Sequence, residues 1–141
     1  MTDHPRFFNA PSSSFFLFGP RGTGKTSAAL EGLVAQHLRA WNSYRGRRNQ
    51  LSYWRTRSGS EVDLIVYGED GFFAMEVKNS ATLHPADLRG LKAFGEDYPE
   101  ARRMLIYRGN ETREVDGIRC VPCERFLATL TPEVVDLSTL A

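Results

Sequence analysis

Long apolar runs are missing from the 141-residue chain, since none approaches the ~20 consecutive residues that a membrane-spanning helix needs. The first six residues, MTDHPR, also lack the pattern of a secretory signal peptide. An excess of charge of either sign is missing too, because 18 basic and 17 acidic residues leave a net charge of +1. We therefore expect a cytoplasmic protein with no membrane partner, and the bulk charge gives no general reason to expect a nucleic-acid partner.

Cysteine and histidine are scarce as well, with two and three residues respectively. Cys120 and Cys123 form a single C-x-x-C pair, and no second pair at a suitable spacing is left to complete a zinc site. Two cysteines without a secretory signal favour a reducing compartment. A redox role for the pair stays open as a minor alternative. No Ser/His/Asp or Cys/His arrangement typical of a nucleophilic enzyme is visible.

The segment Glu61–Lys78 predicts a β-hairpin around which the rest of the chain is organised. Two runs rich in Val, Ile and Phe flank a turn at residues 68–71. If the turn is symmetric, six apolar side chains share one face, which we expect to be buried: Val62, Leu64, Val66, Phe73, Met75 and Val77. The same register places Asp63 opposite Glu76 on the other face, with Lys78 beside them.

Two directly opposed carboxylates repel each other, and their Cβ atoms would be only ~5 Å apart. A strand pair that served stability alone would avoid this arrangement. Two hard oxygen ligands at that separation suit Mg²⁺ or Mn²⁺. A lysine two residues after the second acid would orient a water or steady the charge that builds on a phosphate. The alternative interpretation is a solvated, charged face of the hairpin with no chemical role.

A phosphate-loop motif, GPRGTGKT, occupies residues 19–26 and follows an apolar strand candidate at residues 15–18. In this motif the glycines let backbone N–H groups surround phosphates, the lysine reaches the β- and γ-phosphates, and the threonine hydroxyl binds Mg²⁺. The motif predicts that ATP or another nucleotide would be held by four residues: Gly19, Gly24, Lys25 and Thr26.

The chain around the phosphate loop does not look like an ATPase. Such an enzyme needs a parallel sheet and a second acid at the end of a downstream strand. The one downstream apolar run that ends in an acid, at residues 72–76, already belongs to the hairpin. We therefore expect no ATP hydrolysis and keep nucleotide binding as an alternative.

The remaining pattern predicts a mixed α/β protein of the α+β type. The expected helices are residues 25–44, which carry Glu31, residues 85–97 and residues 122–130. The expected strands, besides the hairpin, are residues 50–57, 103–108 and 118–121, with residues 109–117 as a loop. From residue 25 the element order is thus helix, three strands, helix, strand.

Residues 39–57 are basic and aromatic, with six arginines and no acid. The interleaved aromatic residues are Trp41, Tyr44, Tyr53 and Trp54. This composition suits a nucleic-acid backbone with bases stacked on aromatic rings. The alternative is a solvated loop beside a strand whose aromatic side chains belong to the core.

The element order, with Asp63 and the Glu76-Val77-Lys78 triplet on the second and third strands, resembles the restriction-endonuclease-like superfamily. The stretches YWRTRSGSEVD at residues 53–63 and EVKNS at residues 76–80 are similar to the C-terminal domain of a bacterial and archaeal family of AAA-class ATPases. Those proteins are several times longer and begin with a segment similar to residues 15–26. The chain thus looks like the two ends of such a protein, joined near residues 27–31.

This resemblance implies three regions: an N-terminal arm with an orphan phosphate loop (1–26), a restriction-endonuclease-like domain (27–131) and a tail (132–141). It also implies that Asp63 and Glu76 bind Mg²⁺ or Mn²⁺, that Lys78 assists the attacking water, and that Glu31 completes the metal site. The expected function is a metal-dependent nuclease or a nuclease-like DNA-binding domain. Nucleotide binding and a non-catalytic remnant are the alternatives, and a homodimer is one open choice of assembly.

Overall fold

A computed structural model describes the backbone of residues 14–18 and 26–140, with side chains from residue 28 onward. Its strands are β1 (Ser14–Phe18), β2 (Gln50–Thr56), β3 (Glu61–Gly68), β4 (Gly71–Val77), β5 (Arg102–Tyr107), β6 (Arg113–Val115) and β7 (Ile118–Pro122). Its helices are α1 (Thr26–Tyr44), α2 (Arg89–Asp97) and α3 (Cys123–Thr129), with short 3-10 turns at Pro85–Leu88 and Leu137–Thr139. No helix in this part of the chain has the length and apolar character to span a bilayer.

The seven strands form one mixed sheet in the order β1-β2-β3-β4-β5-β7-β6. Strands β1 to β4 pair antiparallel, β4-β5-β7 pair parallel, and β6 pairs antiparallel with β7. The mixed α+β class and the order helix, three strands, helix, strand from α1 onward are as predicted.

One segment differs from the sequence-based expectation. The expected loop at residues 109–117 contains β6, a three-residue strand. Its Arg-Glu-Val sequence is too short and too exposed to show an alternating pattern. The strand candidate at residues 15–18 is confirmed as β1, which pairs with β2 at the edge of the sheet.

The central hairpin has the predicted register. Leu64 pairs with Met75, Val66 with Phe73, and Gly68 with Gly71 across the turn. All six apolar side chains assigned to its inner face are buried. One of them, Val62, packs in the core on the opposite face of the sheet. The reason is a bulge in β3 directly after Val62, which changes the register with β2.

Hydrophobic cores cover both faces of the sheet. On one face, α1 and α3 pack against the hairpin through Val34, Leu38, Trp41, Phe126 and their neighbours. On the other face, α2 and the turn before it pack through Leu88, Leu91 and Phe94. Burial of large side chains at ~25 cal/mol per Å² of apolar surface makes these two layers the main source of stability.

Helix α2 lies unusually close to the start of β3. A Cβ atom added to Gly90 would come within 1.9 Å of the Glu61 carbonyl oxygen. Only glycine permits this approach, which places α2 and the preceding 3-10 turn beside the part of β3 that carries Asp63.

This contact predicts opposite effects for two helical glycines. Gly90→Ala should destabilise the fold by about 2 kcal/mol or more, because backbone atoms must separate to admit the methyl group. Gly32→Ala in α1 is the matched control, since nothing lies within 4 Å of its added Cβ atom. It should stabilise the protein by up to about 1 kcal/mol through helix propensity. Equal effects in urea denaturation would contradict the close packing of α2.

Candidate functional site

Regular pairing of β3 and β4 stops at the end of the hairpin away from its turn. There, acidic side chains accept hydrogen bonds from the backbone in place of strand-to-strand bonds. The Asp63 N–H donates to Glu76 Oε1 at 3.0 Å, and the Val77 N–H donates to Asp63 Oδ2 at 2.9 Å. Carboxylates thus accept from two backbone donors that regular strand pairing would direct to carbonyl groups. The two acids are brought together by β3 and β4, as the sequence predicted.

The bulge in β3 determines how Asp63 is presented. The register of β2 with β3 changes between two pairs: Ser52 with Ile65, and Trp54 with Val62. Two residues of β3, Asp63 and Leu64, therefore span the interval that Tyr53 alone spans on β2. Such bulges redirect a side chain and interrupt pairing, and they are common beside active sites.

The two carboxyl groups are largely removed from solvent. Asp63 is 7% exposed, and the Glu76 side chain is 13% exposed. Burial raises the pKa of Glu76 well above its usual range, the adjacent Asp63 charge raises it further, and Lys78 works in the opposite direction. A cation between the two acids would offset the cost of burying their charges and would screen their mutual repulsion. The pair therefore favours the binding of a cation.

Lys78 lies between two acids. Its Nζ atom is 3.9 Å from Glu76 Oε2 and 3.8 Å from Asp87 Oδ1, and about a third of its side chain is exposed. Asp87 was not anticipated from the sequence. Its position three residues after His84 reads as a helix-start acid, and its Oδ2 atom does accept the His84 N–H at 2.8 Å. The same residue therefore also helps to position the lysine.

Glu31, the expected third metal ligand, does not join this pair. Within residues 28–140, no three His, Cys, Asp or Glu side chains form a group that could hold a metal ion. Helix α1 packs through Val34 and Leu38 on one face of the sheet, whereas the neighbours of Glu76 in alternation, such as Ala74, belong to the α2 face. The sequence could not reveal which face α1 would cover.

The remaining pair fits a hard divalent ion. Mg²⁺ in proteins is commonly held by one or two carboxylates and keeps several of its waters. Asp63 and Glu76 each direct one oxygen to a backbone N–H, which fixes the orientation of the carboxylate. Mg²⁺ or Mn²⁺ is therefore compatible with these residues, with water in the other coordination positions.

The basic segment at residues 39–57 meets acids that come from the hairpin turn. Arg45 makes a two-pronged contact with Asp70, at 2.5 Å to Oδ2 and 3.1 Å to Oδ1, and Arg47 reaches the same carboxylate at 3.1 Å. Asn49 Nδ2 also donates to Asp70 at 2.5 Å. Two arginines expected to contact a nucleic acid therefore anchor the turn to the end of α1.

For both tryptophans the structure agrees with the alternative interpretation, in which the aromatic side chains belong to the core. Trp54 is fully buried against Phe94, and Trp41 is buried with its Nε1 atom donating to the Val134 carbonyl at 2.9 Å. Neither ring is available to stack on a base. Only Tyr44, which is 81% exposed, matches a solvent-facing aromatic from this segment.

The surrounding hydrogen-bond donors stabilise the charged form of Asp70. Burial alone would raise its pKa, but hydrogen bonds from Arg45, Asn49 and Arg47 outweigh that effect and lower the pKa from 3.8 to about 2. A lowered carboxyl pKa adds stability above the pKa of the unfolded chain. That contribution is lost as the pH falls from about 4 toward 2.

Asp70→Asn should therefore destabilise the protein by about 3 kcal/mol at neutral pH, since it leaves two guanidinium groups without their buried partner. The difference from wild type should shrink between about pH 4 and pH 2, where Asp70 itself becomes protonated. Asp116→Asn is the matched control, because its ion pair with Lys92 is exposed and should be worth less than about 1 kcal/mol. Chemical denaturation across this pH range checks both, and a difference that grows toward low pH would contradict the assignment.

The phosphate loop lies mostly outside the described residues. Residues 19–25, with Gly19, Gly24 and Lys25, are not covered, and Thr26 is described only as the first residue of α1. The strand before the loop, β1, pairs antiparallel with β2. Nucleotide binding by this motif stays a prediction.

The C-x-x-C pair does not have the features of a reactive thiol. Cys120 and Cys123 are both free and buried. Burial raises the pKa of each thiol, which disfavours the nucleophilic thiolate. The structure gives no support to the redox alternative.

A protein-family model described as "Domain of unknown function (DUF4143)" matches residues 26–126. This match covers most of the chain, including the hairpin, α2 and both carboxylates, so the chain belongs to the DUF4143 family.

Two curated relatives are the uncharacterized protein Rv2008c of Mycobacterium tuberculosis and the uncharacterized protein Mb2031c of Mycobacterium bovis. Each is 30% identical over 106 residues, which is 74% of this chain and 23% of the relative. The chain thus spans about a quarter of the length of these relatives. No solved structure shows a significant match.

Proposed function

We propose that this domain is a metal-dependent nuclease, or a nuclease-like DNA-binding domain, of the restriction-endonuclease-like type. Asp63 and Glu76 would hold Mg²⁺ or Mn²⁺, and Lys78 would act on the attacking water. The observation that carries the proposal is the buried, adjacent pair of carboxyl groups at the open end of the hairpin, with a lysine Nζ atom 3.9 Å from Glu76.

A purely structural role explains this pair poorly. Two neighbouring carboxyl groups cost free energy when they are both charged and both desolvated, and the fold keeps them in place with specific backbone hydrogen bonds. Residues that oppose stability yet are firmly held are typical of functional sites. A divalent ion, when bound, would supply charge to stabilise a phosphate and would lower the pKa of a bound water.

The position of Lys78 suits a group that acts on charge in the reaction. Glu76 and Asp87 flank its ammonium group at 3.9 and 3.8 Å, so the side chain is oriented without being fully buried. A fixed cation at this point would steady the developing charge of a phosphodiester under attack or orient the water. It adds little to ground-state metal binding, because it carries the same sign as the metal.

Nucleotide binding through residues 19–26 is a second candidate. Strand β1 ends at Phe18, just before the motif, and α1 begins at Thr26, its last residue, so the motif lies between a strand and a helix. The resemblance to AAA-class ATPases agrees with this candidate, and a non-catalytic remnant of such a protein is the third. If saturating ATP raises the thermal stability of wild type but not that of Lys25→Ala, the result would support nucleotide binding.

Glu76→Gln should separate stability from function. The change replaces a carboxyl group whose ionisation is disfavoured by burial and by Asp63 with a neutral amide, and it keeps an oxygen that accepts the Asp63 N–H. Without metal, the variant should be more stable than wild type by about 1 kcal/mol or more. With Mn²⁺ at about 100 times its dissociation constant, wild type should gain ~2.7 kcal/mol and the variant nothing. Thermal unfolding in EDTA and in Mn²⁺ measures both, and a parallel loss of stability in all conditions would oppose the metal-site assignment.

Lys78→Ala should lower the rate of metal-dependent DNA cleavage by roughly 100-fold or more, with little change in Mn²⁺ affinity, because the lysine acts on the reacting groups. Lys92→Ala removes an equal charge from an exposed ion pair and serves as the control. Cleavage of a mixed DNA substrate under single-turnover conditions provides the measurement. Equal rates for the two variants would remove Lys78 from the chemistry, and no cleavage by wild type would favour the nuclease-like binding alternative.

A further inference from the structure

A second feature lies at the edge of the sheet where the parallel strands end. A cavity of about 250 Å³ opens beyond the carboxyl ends of β5 and β7. Its lining consists of Arg108, Gly109, Asn110, Pro122, Cys123, Glu124 and Arg125. In open sheets with parallel strands, ligands commonly bind beyond the carboxyl ends of the strands. We call this feature the Arg108 cavity.

Hydrogen bonds connect the Arg108 cavity to the segment that follows β4, directly after Lys78. The Arg108 N–H donates to the Ser80 carbonyl at 2.9 Å, and Arg108 Nη1 donates to Asn79 Oδ1 at 3.1 Å. Asn79 directly follows Lys78 in the chain. Because β4 and β5 are parallel, their carboxyl ends share one edge of the sheet. The cavity and the candidate metal site are therefore neighbours along that edge.

The charge of the cavity suits an anion. Arg108 and Arg125 are exposed, and within residues 28–140 neither guanidinium group forms an ion pair with a carboxylate. Arg45 and Arg47, by contrast, are neutralised by Asp70. Guanidinium groups bind phosphate oxygens with charge-assisted, paired hydrogen bonds. The side-chain amide of Asn110 adds a neutral donor, while Glu124 is the single acid on the lining.

The loop that forms the cavity is held in a defined shape. The Tyr107 hydroxyl donates to the Glu111 carbonyl at 2.6 Å, which closes the loop after β5. A Cβ atom on Gly109 would meet the Tyr107 ring, so a larger residue there would have to displace that side chain. A volume below the ~300 Å³ at which small-molecule sites begin suits a single phosphate group better than a whole nucleotide.

We propose that the Arg108 cavity is a phosphate-binding subsite that takes one backbone phosphodiester of a DNA strand, with Arg108 and Arg125 as its ligands. The inference rests on the proposed function in one respect, namely that DNA is the substrate. It assigns to these residues the positioning of the strand on which Asp63, Glu76 and Lys78 would act. Free inorganic phosphate offers the same chemistry and is the competing source of the ligand.

The test is binding of a short fluorescent DNA to the full chain in EDTA, so that metal plays no part. Arg108→Ala and Arg125→Ala should each weaken binding about fivefold or more and reduce the slope of log affinity against log salt by roughly 1. Lys92→Ala, with the same charge change at an exposed pair near the amino end of β7, should leave both quantities nearly unchanged. Asn79→Ala removes only the hydrogen bond to Arg108 and should have a smaller effect than Arg108→Ala.

The outcomes separate this inference from the nuclease proposal. If wild type binds no Mn²⁺ but the arginine variants still weaken DNA binding, the metal site fails and the subsite stands. If all variants bind DNA as wild type does, with equal salt slopes, the subsite is wrong whatever the metal does. Inorganic phosphate should compete only weakly, and phosphate binding that depends on Arg108 without any DNA binding would overturn the assignment to a DNA strand.

Discussion

The repulsion between two buried carboxyl groups is the constraint on which the account of this domain depends. The fold brings Asp63 and Glu76 together by a hairpin register that also buries five apolar side chains on the face toward α1, so the acids cannot separate without losing that core. The bulge in β3 and the backbone donors of Asp63 and Val77 then fix how the carboxylates point. The free energy stored in this pair is what a bound cation would release.

The rest of the structure holds the hairpin at both ends. At the turn, Asp70 accepts hydrogen bonds from Arg45, Arg47 and Asn49, which connect the hairpin to the end of α1. At the open end, the close approach of Gly90 to β3 brings α2 and Asp87 beside Lys78. The site is thus built on rigid strands and supported from both layers, an arrangement that gives accurate positioning of reactive groups.

Local pattern predicted the hairpin, its register and the Asp63–Glu76 pair, because alternation along two adjacent strands determines which side chains meet. It failed where distant segments decide the outcome. The arginines at positions 45 and 47 looked unopposed, since Asp70 lies more than twenty residues away in sequence. Glu31 was expected as a ligand from the family resemblance alone, and nothing in the sequence states which face of the sheet α1 covers. The contact of Asp87 with Lys78 and the Arg108 cavity form only when the folded sheet brings together segments that follow different strands.

Calorimetric titration of Mn²⁺ into wild type and Asp63→Asn tests the central claim most directly. Asparagine keeps an oxygen to accept the Val77 N–H, so the variant should fold while losing the charge that attracts the ion. We expect one saturable site in wild type and none in the variant. Identical binding isotherms for the two proteins would contradict it and leave the pair without a role in metal chemistry.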